Sequence, residues 1–181
     1  RSRLLAQNLQ MAKKGLRVLA FAERRIDKQT YSSLNIGDCE KKLCFLGLVA
    51  LFDPPRKAVS KSIRICRRAG IRVFLLTGDH ASTGRYVAET LHIIPSQSSS
   101  DTRNFVLEGK DVDRLVASNT LSSLDPFPQV FARVSPENKI QLVEALQKRG
   151  EVVAMIGDGI NDAASIRKAD VGVAMGKNST D

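Results

Sequence analysis

Residues 152–175 read VVAMIGDGINDAASIRKADVGVAM, and the order of residue types along them decides the fold. Val152 to Ile156 is apolar over the length of a buried strand, and Gly157 opens a loop at its carboxyl end. A helix begins near Asn161, and Val171 to Ala174 starts one more strand. Strand, helix, strand is the order of a parallel sheet with crossover helices.

The same alternation extends upstream. Ser135-Pro136 pairs an N-cap residue with proline at the first helical position, and Ile140, Val143 and Leu146 continue an apolar stripe to Gly150. Gln129 to Ala132 reads as a short strand, Asp111 to Ala117 as a short helix, and the Ser-rich stretch 96–102 as a surface loop. Thr83 to Leu91 is helical in pattern, Ile71 to Leu76 is a continuous apolar strand, and Val59, Ile63 and Cys66 line a helix ending at Gly70. Asp53-Pro54-Pro55-Arg56 interrupts the pattern, because two prolines fix φ and remove two backbone donors. That is a hinge or domain boundary. Before it lie a helix over Leu4–Lys14 closed by Gly15, strands over 16–22 and 43–52, and a polar loop over 27–42.

Of 181 residues, 28 are Lys or Arg and 19 Asp or Glu, a net charge of +9, while aromatics make up 5% and Trp is absent. A nucleic-acid groove joins clustered cations to stacking aromatics, so solvated helix faces and a polyphosphate pocket account better for the charge. No nucleic-acid partner is expected. The apolar runs LCFLGLVALF and IRVFLL are shorter than the roughly 18–20 residues of a membrane helix. Cys39, Cys44 and Cys66 lack metal-ligand spacing and read as reduced core thiols. The opening RSRLLAQNLQMAKKG has no secretory pattern and looks like the interior of a longer protein.

Ligands of open α/β sheets bind at the loops that leave the carboxyl ends of strands. Three such loops are rich in polar residues: Thr77-Gly78-Asp79, Arg133 with Ser135-Pro136, and Gly157 to Asp162. They are expected to converge on one sheet edge. Asp158 and Asp162 form a carboxylate pair of the kind that holds Mg²⁺, or else a turn and a helix cap. Thr77 and Gly78 offer an anion loop or an ordinary cap, and Lys139 a phosphate cation or a solvated helix lysine. Anion loop, lysine and carboxylate pair are together the parts of a phosphoryl-transfer site. Gly176-Lys177-Asn178-Ser179 and Gly109-Lys110 lack the glycine spacing of a phosphate-binding P-loop.

FLGLVALFDPPR, LLTGDHASTGRYVAETLHI, FARVSPENKIQLVEALQ and VVAMIGDGINDAASIRKADVGVAMG, in this order, resemble the P-type ATPases. These are membrane cation pumps whose phosphorylation domain is haloacid dehalogenase-like, and the pattern is most similar to the calcium, sodium and proton pumps. The resemblance implies a Rossmannoid parallel sheet over 53–181, an incomplete phosphorylation domain, preceded over 1–52 by the end of an α/β nucleotide-binding domain. It implies Mg²⁺ as cofactor, held by Asp158 and Asp162, and ATP as substrate. Thr77 and Gly78 would bind the transferred phosphoryl group, Lys139 would neutralise it, and Asp162 would also support dephosphorylation. Arg17, Asp79, Arg133 and Asn161 would lie at the nucleotide.

The implied partners are ATP, the transported cation, and the actuator and transmembrane domains of the same pump, with this segment facing the cytosol. The family's nucleophile belongs to a DKTGT sequence that does not occur here, and Ala164 stands where proline is usual. The chain is therefore expected to be an inactive piece of a pump. A stand-alone phosphatase of the same superfamily needs its own early nucleophile, and Asp53, the one candidate, is followed by two prolines. A non-catalytic nucleotide-binding module is the remaining alternative.

Overall fold

A computed structural model describes residues 2–27, 37, 40–51, 54–96, 105–157 and 160–175. Its contacts divide the chain into two units, Arg1–Pro54 and Pro55–Asp181, so the division falls between the two prolines. In the first unit, helix α1 (Ser2–Lys13) ends in Gly15, whose φ of 74° is the left-handed conformation that closes a helix. Strands β1 (Arg17–Glu23) and β2 (Cys44–Leu51) then pair antiparallel, with an irregularity between Phe21 and Ala22. Their apolar side chains, including Phe21, Phe45 and Val49, stay exposed.

The second unit alternates helix and strand: α2 (Lys57–Arg68), β3 (Leu75–Leu76), α3 (Ala81–Thr90), β4 (Val106–Glu108), α4 (Gly109–Ala117), β5 (Val130–Ala132), α5 (Pro136–Lys148), β6 (Ala154–Gly157), α6 (Ala163–Lys168) and β7 (Val171–Ala174). All of its pairings are parallel, in the orders β3-β5-β4 and β6-β7. This is the α/β parallel architecture that the sequence predicts. One outer edge of β3 and one of β6 pair with no strand among the described residues.

Two clusters make the core. Val112, Phe127, Phe131, Leu142 and Leu146 join α4, α5 and β5, with Leu76 and Val153 packed at the margin. On the other side, Ile63, Ala88, Ile94 and Val130 join α2, α3 and β5. Helix α5 thus turns Leu142, Val143, Ala145 and Leu146 inward, and its N-terminus is fixed by side chains. Ser135 Oγ accepts the Asn138 backbone N–H at 3.1 Å, and Asn138 Oδ1 accepts that of Ser135 at 3.0 Å, a reciprocal capping box. Asn138, only 3% exposed, also donates Nδ2–H to Asp113 Oδ1 of α4 at 2.6 Å.

Several expectations are corrected. Residues 71–74 are not in the strand, because β3 pairs with β5 only from Leu75 opposite Val130, and the Gln129 N–H that would continue the ladder to Val73 donates instead to Phe105 O at 3.2 Å. Strand β6 is not buried throughout: Met155 and Gly157 face inward, while Ile156 is 56% and Val152, ahead of the strand, 85% exposed. The alternation arises because one face packs on α6. Cys44 is exposed and Cys66 half-buried, so neither is a fully enclosed thiol, and Cys39 lies outside the described residues. The loop expected over 27–42 and the Ser-rich stretch lie largely outside them too.

Asn138→Leu removes the side-chain acceptor of the Ser135 N–H and leaves the Asp113 carboxylate without its donor, while the backbone N–H of residue 138 still reaches Ser135 Oγ, and is expected to cost about 3 kcal/mol. Ser135→Ala, which loses one cap bond, is expected to cost about 1 kcal/mol. Urea unfolding of the two variants checks the order. The Val153 N–H, 2.8 Å from Asp170 Oδ2, holds that carboxyl below the usual carboxylate range, with the Gln147 side chain adding to the effect. A depressed value means that this stabilisation is complete above the unfolded-state pKa and is lost as pH falls through the folded value. Asp170→Ala and the parent should therefore differ in melting temperature at neutral pH and converge in acid.

Candidate phosphoryl-transfer site

The loop after β3 is built by backbone first. Thr77 N–H donates to Phe131 O at 2.9 Å, Val134 N–H donates to Thr77 O at 3.2 Å, and Arg133 N–H donates to Asp79 O at 2.9 Å. Two of the three expected loops are thereby tied together. Thr77 Oγ1 accepts the Asp79 N–H at 3.1 Å, which folds the loop over its own hydroxyl. The cap of α3 is not Thr77 but His80, whose Nδ1 accepts the Ser82 N–H at 3.3 Å. Gly78 and Asp79 are exposed.

Arg133 has a φ of 50°, an unusual conformation for a side chain of its size, and this turn leads from β5 into the cap of α5. Gly109 shows how tightly the turn is held. A Cβ there would lie 2.4 Å from Arg133 O and 2.8 Å from Asn138 Oδ1, so α4 approaches this loop as only glycine permits.

The third loop joins the others through an ion pair. Lys139 Nζ is 2.5 Å from Asp162 Oδ1, with side chains only 15% and 12% exposed. Asp162 ends the single turn 160–162 and stands just ahead of α6, where its side chain makes no cap hydrogen bond and its backbone oxygen accepts Ser165 Oγ–H at 2.9 Å. Its carboxylate lies over Gly157: a Cβ there would stand 2.7 Å from Asp162 Oδ2. The glycine of the loop is therefore needed by the carboxylate. Among the described residues Asp162 Oδ2 accepts no hydrogen bond, which leaves one carboxylate oxygen for a cation.

Lys139, Asp162, Thr77, Gly78, Asp79 and Arg133 thus belong to connected loops of one unit. Asn161 is exposed beside Asp162. Arg17 lies on β1 of the other unit, paired with Leu51. Asp158 and Asp53 lie outside the described residues, and among the described residues no cluster of three metal-ligating side chains occurs. Sequence reading missed Asn138 and Asp113, whose contact joins residues 25 apart and has no local signal beyond the Ser-x-x-Asn spacing. No described helix is long and apolar enough to cross a membrane.

A family profile of the haloacid dehalogenase-like hydrolases matches residues 6–170. The chain is 40% identical over 171 residues to the cation-transporting ATPase pma1 of Synechocystis, covering 94% of this chain and 18% of that protein. It is 40% identical over 185 residues to the sodium/potassium exporting P-type ATPase cta3 of Schizosaccharomyces pombe, covering 100% and 18%. To the calcium-transporting ATPase 1 of Bacillus cereus it is 42% identical over 171 residues, covering 94% and 18%. The chain spans under a fifth of the length of these relatives. A parallel α/β unit with polar loops at its strand ends, matched by profile over nearly its full length, belongs to the haloacid dehalogenase-like hydrolase family, and within it the chain is similar to the P-type cation-transporting ATPases.

Proposed function

We propose that this chain is the cytosolic catalytic segment of a P-type cation-transporting ATPase, in which ATP hydrolysis through an aspartyl phosphate drives an ion across a membrane. The observation that carries the reading is the enclosed Lys139–Asp162 pair, next to a Thr77 loop hydrogen-bonded to the turn that starts α5. In the reaction, an aspartate from a segment outside this chain attacks the γ-phosphate in line and forms the acyl phosphate as ADP leaves. Thr77 and Gly78 receive the transferred oxygens, Lys139 neutralises the charge that develops on them, and Asp162 holds the ammonium in place. Asp79, Arg133, Asn161 and Arg17 serve the nucleotide. The unengaged Asp162 oxygen suits a hard cation, and Mg²⁺, held there with Asp158, would supply charge neutralisation at the γ-phosphate.

The acceptor aspartate enters, in this reading, on a strand that completes the sheet between β3 and β6. Those strands each offer an edge unpaired among the described residues, and the Thr77 and Gly157 loops leave their carboxyl ends. A strand there would deliver its own carboxyl end between Thr77 and Lys139.

Labelled ATP tests the reading. The chain alone should form no acid-stable phosphoenzyme, and covalent label on any of its own aspartates would overturn the assignment of Asp158 and Asp162. In the full-length protein, Lys139→Ala should lower phosphoenzyme formation about 10²-fold, the scale for deleting one preorganised charge-stabilising donor. Asp162→Asn keeps the side-chain shape and should weaken the Mg²⁺ response. Thermal melts run alongside separate lost chemistry from lost fold, since removing one partner of an enclosed pair also destabilises. Normal phosphorylation and normal Mg²⁺ dependence in both variants would sink the proposal.

A further inference from the structure

Helix α2 carries five basic residues, Lys57, Lys61, Arg64, Arg67 and Arg68, and no acidic one. Its inner side is Ile63, 7% exposed in the cluster with Ala88 and Val130, and Cys66, half-buried. Arg67 turns to the same side and donates to Ile93 O at 2.7 Å. At 3.6 residues per turn, Lys61, Arg64 and Arg68 fall within an arc of about 60° on the opposite side, along about 10 Å of the axis. All three are exposed and form no ion pair among the described residues. Ile65, 57% exposed, stands beside them.

A line of like charges at spacings of three and four residues destabilises its helix. Elsewhere in this unit some helix cations meet acids: Arg85 is 3.9 Å from Glu89, Lys168 is 2.9 Å from Glu144, and Arg114 pairs with Asp111. Lys61, Arg64 and Arg68 of α2 have no such acid within reach among the described residues. We infer that this face docks on anionic phospholipid, with Lys61, Arg64 and Arg68 at the headgroups and Ile65 at the acyl boundary.

The chemistry selects this occupant. A second copy, itself at +9 and presenting the same cations, is repelled. Single-stranded nucleic acid needs stacking aromatics, and α2 has none. A straight row of cations edged by one apolar side chain suits a plane of anionic headgroups over an apolar layer. The inference goes beyond the pump reading and stands without it, because binding to a lipid surface requires neither ATP nor the acceptor aspartate.

The test is co-sedimentation of the chain with vesicles of phosphatidylcholine containing phosphatidylserine, against phosphatidylcholine alone. Binding should require the anionic lipid and fall as salt is raised. The triple variant Lys61→Gln, Arg64→Gln, Arg68→Gln should lose about 10²-fold in partitioning. A control variant, Lys110→Gln, Lys148→Gln, Arg167→Gln, makes the same change in net charge, from +9 to +6 by 9 − 3, and should bind nearly as the parent does. Ile65→Ser should weaken binding without changing its salt dependence. Equal losses in the two triple variants would reduce the effect to net charge and overturn the inference. So would displacement from the vesicles by free phosphate or RNA, or absence of binding by a chain whose circular dichroism and melting are those of the folded protein.

Discussion

Lys139 is the fourth residue of α5, within the turn where the positive end of the helix dipole opposes a cation. Glu137 in the same turn offsets part of that cost, and Asp162 at 2.5 Å offsets the rest. Asp162 precedes α6 and makes no cap hydrogen bond to it, so its carboxylate is free to turn to the ammonium. The ammonium is thus the carboxylate's one charged partner among the described residues. Without that carboxylate Lys139 would be an enclosed, uncompensated positive charge, which the fold must neutralise.

The pair sits correctly only because α5 begins where it does. Proline at the first position fixes φ, and the Ser135–Asn138 box sets the turn. Asp113 then holds Asn138 from α4, whose first residue, Gly109, comes close enough to touch the Arg133 carbonyl. The Arg133 N–H bond to Asp79 passes this constraint on to the Thr77 loop. Sequence-distant residues are in this way made one piece of backbone, and the polar groups at three strand ends are set by packing of two helices rather than by their own loops.

Legibility in the sequence follows this division between local and distant causes. The start of α5 was readable because Ser135 and Pro136 act on their own neighbours, and Val171–Ala174 was readable because its apolar run is short and bounded. Lys139 and Asp162 were readable as candidates from loop position and motif, but their contact spans 23 residues of sequence and has no local trace. Strand β4 was missed because three residues carry no period, and it exists only through its pairing with β5. The strand expected over 71–74 fails for the same reason: its apolar residues want a partner, and the Gln129 N–H that would serve Val73 is taken by Phe105 O.

The donor inventory of Lys139 then limits what the resting pair means for the proposed reaction. An ammonium has three N–H donors, and one is directed at Asp162 Oδ1. Two remain for phosphoryl oxygens, so Lys139 can meet the substrate without releasing its carboxylate. Asp162 in turn keeps Oδ2 on the side that Gly157 leaves open for want of a Cβ. A larger residue at 157 would fill that space and force the carboxylate off the ammonium. The glycine and the lysine are thus two conditions on the same carboxylate: one gives it room, the other fixes its direction, and a cation bound to the remaining oxygen would complete its neutralisation without displacing either.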